Sequence, residues 1–309
     1  MSYIEIIIGV SLLVISGNYL VKGTVNTANF LGVSPYIISS TIVAFGTSAP
    51  ELFVSVFSSL HIAADAGLGN IMGSNVANVL LALGVAAIIL PVRSDGLNLK
   101  RDVIFLLAIT LLFTVLLIFT DIFWNNYTAI LFIFLLAAYI VYSFRYGKTD
   151  PEEVLKSSEK KTYKSLLLMS IGIIGVLIGA NLLVNGALDI SDDFGINKTI
   201  IGLSILALGT SLPEVVIALI ASIKKEFNVA IGNIVGSNIF NVLGIGAATI
   251  IADIYDSGGK LGYRPEEVLP FIFVTVILLL FSLMKWNFKR PVGIIFVLAF
   301  FMWLIALYT

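Results

Sequence analysis

Apolar residues in this chain fall in long unbroken runs, not at the spacing of a half-buried helix or strand. Ten runs, at 4–29, 35–60, 67–91, 102–120, 126–144, 164–188, 197–222, 228–252, 266–284 and 291–308, stand out. About 20 apolar residues in a helix cross the hydrocarbon core of a bilayer. Inside that core the backbone must satisfy its own polar groups, so each run is predicted to be a helix. The first run lacks a basic leader and a small-residue cleavage site, and is read as a retained span. Trp124, Tyr127, Trp286 and Tyr308 sit near run ends, where interfacial aromatics gather.

Composition agrees. Of 309 residues, 59% are hydrophobic and 12% charged; soluble domains carry about 25% charged residues. The fold class is therefore an all-α polytopic membrane protein. A net charge of −1 gives no pointer to nucleic acid. The absence of cysteine excludes disulfides and thiolate sites, and a single histidine, His61, argues against a transition-metal centre.

The loops set the orientation. With ten spans, alternate loops share a side. One set carries fourteen Lys and Arg residues, among them Arg93, Arg101, Lys148, Lys224 and Lys285; the other carries three, Lys198, Lys260 and Arg264. The basic set is expected to face the cytoplasm. Both termini are then extracytoplasmic, and the polar stretch 146–163 is a solvated cytoplasmic linker. The acidic loop 189–195 faces outward.

Shifting the chain by 163 residues superposes it on itself. Ala44, Gly46, Thr47, Ser48, Pro50 and Glu51 fall on Ala207, Gly209, Thr210, Ser211, Pro213 and Glu214. Gly69, Asn70, Gly73, Ser74, Asn75 and Asn78 fall on Gly232, Asn233, Gly236, Ser237, Asn238 and Asn241. From 44 to 80, 16 of 37 positions are identical. Each half holds five runs, an odd number, so the second half enters the membrane from the opposite side. The expected architecture is ten transmembrane helices as two inverted five-helix repeats, 1–145 and 164–309, joined by the linker at 146–163. Such folds tend to place their substrate near the midplane on interrupted helices.

"GTSAPE" and "GTSLPE" are those interruptions. A carboxylate at the bilayer centre costs at least a few kcal/mol, so Glu51 and Glu214 need compensation. Pro50 and Pro213 have no N–H for the preceding turn and free carbonyl oxygens there. Thr47, Ser48, Thr210 and Ser211 add hydroxyls one turn before the carboxylates. "GNIMGSN" and "GNIVGSN" add Ser74, Ser237 and several amides. The pooled set is oxygen only, which suits hard cations such as Ca²⁺ and Na⁺. The two glutamates supply −2, which one Ca²⁺ cancels, and they are expected to be the only proton acceptors in the core. Asn75 and Asn238 serve either helix-to-helix hydrogen bonding or ion ligation. Asn18 and Asn181 are expected to lock helices together.

"AFGTSAPE" with "GSNVANVL", and "ALGTSLPE" with "GSNIFNVLGIG", resemble the alpha-repeats of the cation/calcium exchanger superfamily, particularly its sodium/calcium exchanger branch. The resemblance spans the full ten-run layout, and the short linker is similar to that of prokaryotic members. It implies that Glu51 and Glu214 bind Ca²⁺, helped by the carbonyls of Thr47 and Thr210. It implies one sodium-ligand set of Ala44, Ser48 and Ser74 and a symmetric set of Ala207, Ser211 and Ser237, with Asn78 and Asn241 beside the central site. Some members, including potassium-dependent ones, carry Asp where this chain has Asn241. The family alternates access by sliding its first and sixth helices over the other eight, here the runs 4–29 and 164–188.

The reading is a secondary antiporter in the cell membrane that exchanges Ca²⁺ for Na⁺, with about three sodium ions per calcium as the resemblance implies, and hence electrogenic. A Ca²⁺/H⁺ antiporter is the alternative. Its partners are inorganic cations and the lipid bilayer, with no cofactor. An intramembrane hydrolase would need paired aspartates, a Ser/His pair or a histidine metal site, none of which the motifs offer, so an enzyme is not expected. A channel fits poorly with a buried charge pair on inverted repeats.

Overall fold

The computed structural model describes residues 2–61, 64–92, 97–118, 125–147, 162–193, 209–256 and 265–306. The interior of the linker, at 148–161, and the segment 194–208, which includes Ala207, lie outside the described residues; of the stretch 189–195 expected as an acidic loop, 189–193 continues the helix that begins at Thr162. Among those described, every element is helical except one isolated bridge, Val92 to Phe288.

The first run is a single helix, α1 (Ser2–Leu31). The second is broken: α2 (Pro35–Ile38), a π-helical stretch Ser39–Val43, α3 (Ala44–Thr47) and α4 (Ala49–His61) follow one another. Its two halves are bent by 43° at Ser48. The third run is α5 (Ala64–Ala77), a π stretch Asn78–Leu83 and α6 (Gly84–Ile89). The helices α7 (Leu97–Ile118), α8 (Asn126–Tyr146) and α9 (Thr162–Asp193) are continuous. After the gap come α10 (Leu212–Ile223), then α11 (Phe227–Phe240), a π stretch Asn241–Ile245 and α12 (Gly246–Asp256). The last two are α13 (Pro265–Leu283) and α14 (Arg290–Ala306).

Six of these segments are long and apolar enough to cross a membrane, or seven if the bent pair 35–60 counts as one. Three shorter apolar helices accompany them, Leu212–Ile223, Val268–Leu283 and Arg290–Ala306. The two π stretches that open at Asn78 and Asn241 lie 163 residues apart, so the sequence offset survives in the backbone. Widened turns of this kind concentrate at functional sites.

Burial sorts the helices into two bodies. The segments α5–α6 and α11–α12 form the centre and are covered nearly all round, whereas α1, α8 and α9 expose most of their apolar side chains. Phe113 stacks on Phe132 and meets Phe271 edge to face, with centroids 6.0 and 5.9 Å apart, filling the space between α7, α8 and α13. Apart from this centre, α1 and α9 run antiparallel in close contact. Gly9 meets Gly179 backbone to backbone, Ser16 faces Gly175, Leu20 faces Gly172, and Gly23 faces Met169. Small residues at such crossings let two membrane helices gain dispersion contacts that lipid does not supply.

Close approach also fixes the broken second run. A β-carbon on Gly236 would overlap the Ser40 backbone, and one on Gly232 would come within 2.8 Å of the Tyr36 carbonyl. Ser39 Oγ donates to the Val229 carbonyl at 2.7 Å across the same contact. The matching glycine of the first motif, Gly73, is open: its nearest neighbour for a β-carbon is the Trp303 ring at 3.8 Å. Thus GNIVG packs backbone on backbone, and the same spacing in GNIMG does not at Gly73. Gly236→Ala should destabilise the protein by about 1–3 kcal/mol, the usual cost of overpacking, while Gly73→Ala should leave it unchanged. Thermal unfolding of both variants in detergent, followed by helix signal, measures the difference.

Candidate functional site

Both motif helices stop and restart at a serine. Ser48 has φ −83° and ψ 11°, and Ser211 has φ −86° and ψ 1°. Two residues after each, proline withholds the N–H that would close on the carbonyl four residues back, Gly46 in one half and Gly209 in the other. The helices resume at once: Leu52 N–H donates to the Ser48 carbonyl and Val215 N–H to the Ser211 carbonyl, both at 3.1 Å. This puts Glu51 and Glu214 in the first turns of α4 and α10. Unpaired N–H groups at a helix start favour negative charge, which offsets part of the cost of burying the carboxylates. Both are fully buried.

The carboxylates are tied across the two halves. Ser48 donates to Glu214 Oε1 at 3.1 Å, and Ser211 donates to Glu51 Oε1 at 3.4 Å. Ser237 adds a second donor to Glu214 Oε1 at 3.3 Å. The serine beside each glutamate therefore serves the opposite glutamate and not its own. The second oxygen of each carboxylate, Oε2, has no protein partner.

The other expected residues gather around this pair. Thr47, Thr210, Ala44, Ser74, Asn78 and Asn241 are all buried. Thr47 Oγ1 donates to Asn233 Oδ1 at 3.2 Å and to the Ala44 carbonyl at 3.3 Å. That carbonyl also accepts the Ser48 N–H at 3.0 Å. Asn78 Nδ2 donates to Asn238 Oδ1 at 2.9 Å, and Asn238 Nδ2 donates to the Asn75 carbonyl at 3.3 Å. Ala207 lies outside the described residues.

Asn70 went unnoticed as a site residue in the sequence. Its Nδ2 reaches the Glu51 carbonyl at 3.1 Å and Ser55 Oγ at 2.8 Å, fixing the turn that carries the carboxylate. Asn233, at the matching place, accepts from Thr47 instead; repeat alignment marks both positions but not their different partners.

Two expectations are corrected. Asn18 and Asn181 do not lock helices: Asn18 donates to Val14 of its own helix at 2.8 Å, and Asn181 accepts from Asn185 of its own helix at 2.9 Å. Nor are the glutamates the only buried acids, since Asp102 and Asp253 are also fully buried. Asp102 pairs with Arg101 and accepts from Tyr139 at 2.9 Å, while Arg101 also reaches Ser143 at 3.3 Å and lies 5.3 Å from the centre of the Tyr142 ring. The residues one offset away from Asp102 and Tyr139 are Pro265 and Met302, so this cluster belongs to one half alone.

Chemically the centre is a shell of oxygen: two carboxylates, hydroxyls, amides and helix-end carbonyls. Among the described residues no cluster of three or more His, Cys, Asp or Glu side chains could hold a metal. Two carboxylates with neutral oxygens suit a hard divalent or monovalent cation that binds and leaves, not a resident transition metal.

The family described as Sodium/calcium exchanger protein matches residues 1–145 and 164–309. A protein of Alkalimonas amylolytica assigned as an antiporter, CaxA, is 35% identical over 93% of this chain and 91% of its own length. Sodium/calcium exchanger MaX1 of Methanosarcina acetivorans is 29% identical over 99% of this chain and 98% of its own. The solved structure of the sodium-calcium exchanger NCX_Mj soaked without Na⁺ or Ca²⁺ superposes with a TM-score of 0.82 at 28% identity, covering 99% of this chain and 98% of that one. With paired breaks, paired carboxylates and full-length likeness in sequence and fold, this multi-pass membrane protein belongs to the sodium/calcium exchanger protein family.

Proposed function

We propose that the protein is an antiporter that exchanges Ca²⁺ for Na⁺ across the cell membrane by alternating access. The carrying observation is the reciprocal hydrogen bonding of Glu51 and Glu214 through the serines of opposite halves. It supports one shared cation site, with both carboxylates and the carbonyls of Thr47 and Thr210 on Ca²⁺. Ala44, Ser48 and Ser74, and Ala207, Ser211 and Ser237, are the proposed sodium ligands, with Asn78 and Asn241 beside them. An emptied site leaves −2 in low dielectric, which favours replacement of one ion by others over leak. Three sodium ions against one Ca²⁺ make the exchange electrogenic.

The proposed architecture is ten spans in two inverted repeats, 1–145 and 164–309, with the linker 146–163 in the cytoplasm and both termini outside. The bridge between Val92 and Phe288, with paired backbone bonds of 3.0 and 2.9 Å, joins two of the basic loops at one end of the bundle, as that arrangement requires.

The moving part is the pair α1 and α9. It touches the site through the motif glycines: Ile173 of α9 lies against Gly46, and Val184 of the same helix against Gly209. On the other side Gly17 of α1 seats against Val216 and Ile220 of α10. The offset turns that last contact into Ala180 of α9 against Phe53 and Phe57 of α4. Those two rings, stacked at 5.9 Å, are instead 70% and 47% exposed. The pair thus leans on the inner half of the seventh span and leaves the outer half of the second uncovered, which we read as the outward-open state.

Glu51→Gln or Glu214→Gln should each weaken Ca²⁺ binding about a hundredfold or more, since each removes a charge worth several kcal/mol to a buried divalent ion. Radiolabelled Ca²⁺ uptake into sodium-loaded vesicles measures this. If the parent's uptake ignores sodium and follows a proton gradient, the Ca²⁺/H⁺ reading replaces sodium coupling. A second prediction uses the lack of native cysteine. Gly17→Cys with Ile220→Cys should cross-link in the outward-open state, and Ala180→Cys with Phe57→Cys only once both ions let the protein turn over. Equal cross-linking of both pairs under all ion conditions would overturn the gate assignment.

A further inference from the structure

The four asparagines at the centre do not share their hydrogen bonds evenly. Asn78 donates to Asn238 Oδ1, and Asn238 donates to the Asn75 carbonyl. One offset away, the same pair of bonds would run from Asn241 to Asn75 Oδ1 and from Asn75 to the Asn238 carbonyl. Neither bond is made. The three atoms that would make the first bond and start the second, Asn241 Nδ2, Asn75 Oδ1 and Asn75 Nδ2, are buried without partners, and so is Asn241 Oδ1. Asn75 is 1% exposed and Asn241 is fully buried.

Leaving a buried amide unpaired costs about 1–3 kcal/mol per group, so this arrangement needs an explanation. An amide has two donor hydrogens and an acceptor oxygen. When Asn238 takes the Asn78 amide nitrogen, the ring of possible orientations closes and Asn78 Oδ1 is left pointing free; it too has no protein partner. Asn78 is therefore an oriented oxygen ligand, and Asn241 is an unoriented one. A ligand held in its binding geometry beforehand loses less entropy when the ion arrives.

We propose that Asn75 and Asn238 are positioning residues that orient the two central amides in turn: Asn238 fixes Asn78 in the outward-open state, and Asn75 fixes Asn241 in the inward-open one. The proposal rests on the exchanger reading and on the inverted repeats. It adds to them that the central helices α5 and α11 exchange hydrogen bonds while α1 and α9 move. Two arrangements of one amide cluster, related by the repeat and differing by a pair of bonds, form a two-state element of the kind that access to opposite faces can bias.

The test is sided. Half-saturation by Ca²⁺ is measured at the external face in right-side-out vesicles and at the cytoplasmic face in inside-out vesicles. Asn238→Ala should raise the external constant about tenfold, one step of 1.4 kcal/mol, and change the cytoplasmic constant less than twofold. Asn75→Ala should do the reverse. Asn75→Ala is the decisive variant because its side chain makes no hydrogen bond in this structure, so its loss does not threaten folding. A purely structural role predicts no effect of Asn75→Ala on either face, and either that result or an equal change on both faces overturns the proposal. A parent protein that exchanges no Ca²⁺ from either face would instead overturn the exchanger reading.

Discussion

Two carboxylates buried at the centre of a membrane helix bundle are the constraint on which this structure turns. Among the described residues no basic side chain is bonded to Glu51 or Glu214, and each draws on neutral dipoles: a serine from the other half and the start of its own helix. Neutral dipoles stabilise a carboxylate without cancelling it. A basic partner would have made the pair cheaper to bury and would have removed its demand for a cation. In the proposed exchanger the burial cost is thus kept available to the transported ion.

The rest of the fold holds those dipoles in place. Prolines follow two residues after each serine at the break, so that hydroxyl and helix start come together. Gly232 and Gly236 bring α11 down onto the backbone of the second span, which locks the half of that span preceding the break. The pair α1 and α9 meets the centre chiefly through glycines and branched aliphatic side chains. Dispersion contacts of that kind lack direction and can be remade after a shift, unlike the hydrogen bonds of the site.

Much of this was legible in the sequence because it is repeated there. The offset of 163 residues located both breaks, both carboxylates and the asparagines before any geometry was known. Spacing alone did not reveal which serine serves which glutamate: Ser48 lies near Glu51 in the chain yet bonds to Glu214, a contact that only the packing of the two halves brings about. Asp102 was invisible for a different reason. It sits at the edge of an apolar run beside Arg101 and reads as part of a solvated loop, and only the fold brings Tyr139 onto it. The divergence of Asn70 and Asn233 was also hidden, because a repeat in sequence predicts equal partners, whereas Asn70 holds the Glu51 turn and Asn233 accepts from Thr47.

The small bridge between Val92 and Phe288 has a mechanical consequence. It staples the chain just after α6 to the chain just before α14, and Arg290 reinforces it by donating to the Ile89 carbonyl at 3.3 Å. With the halves pinned at that end, they are unable to part there like the shells of a clam. Whatever opens that mouth has to travel along the seam instead of prising it apart.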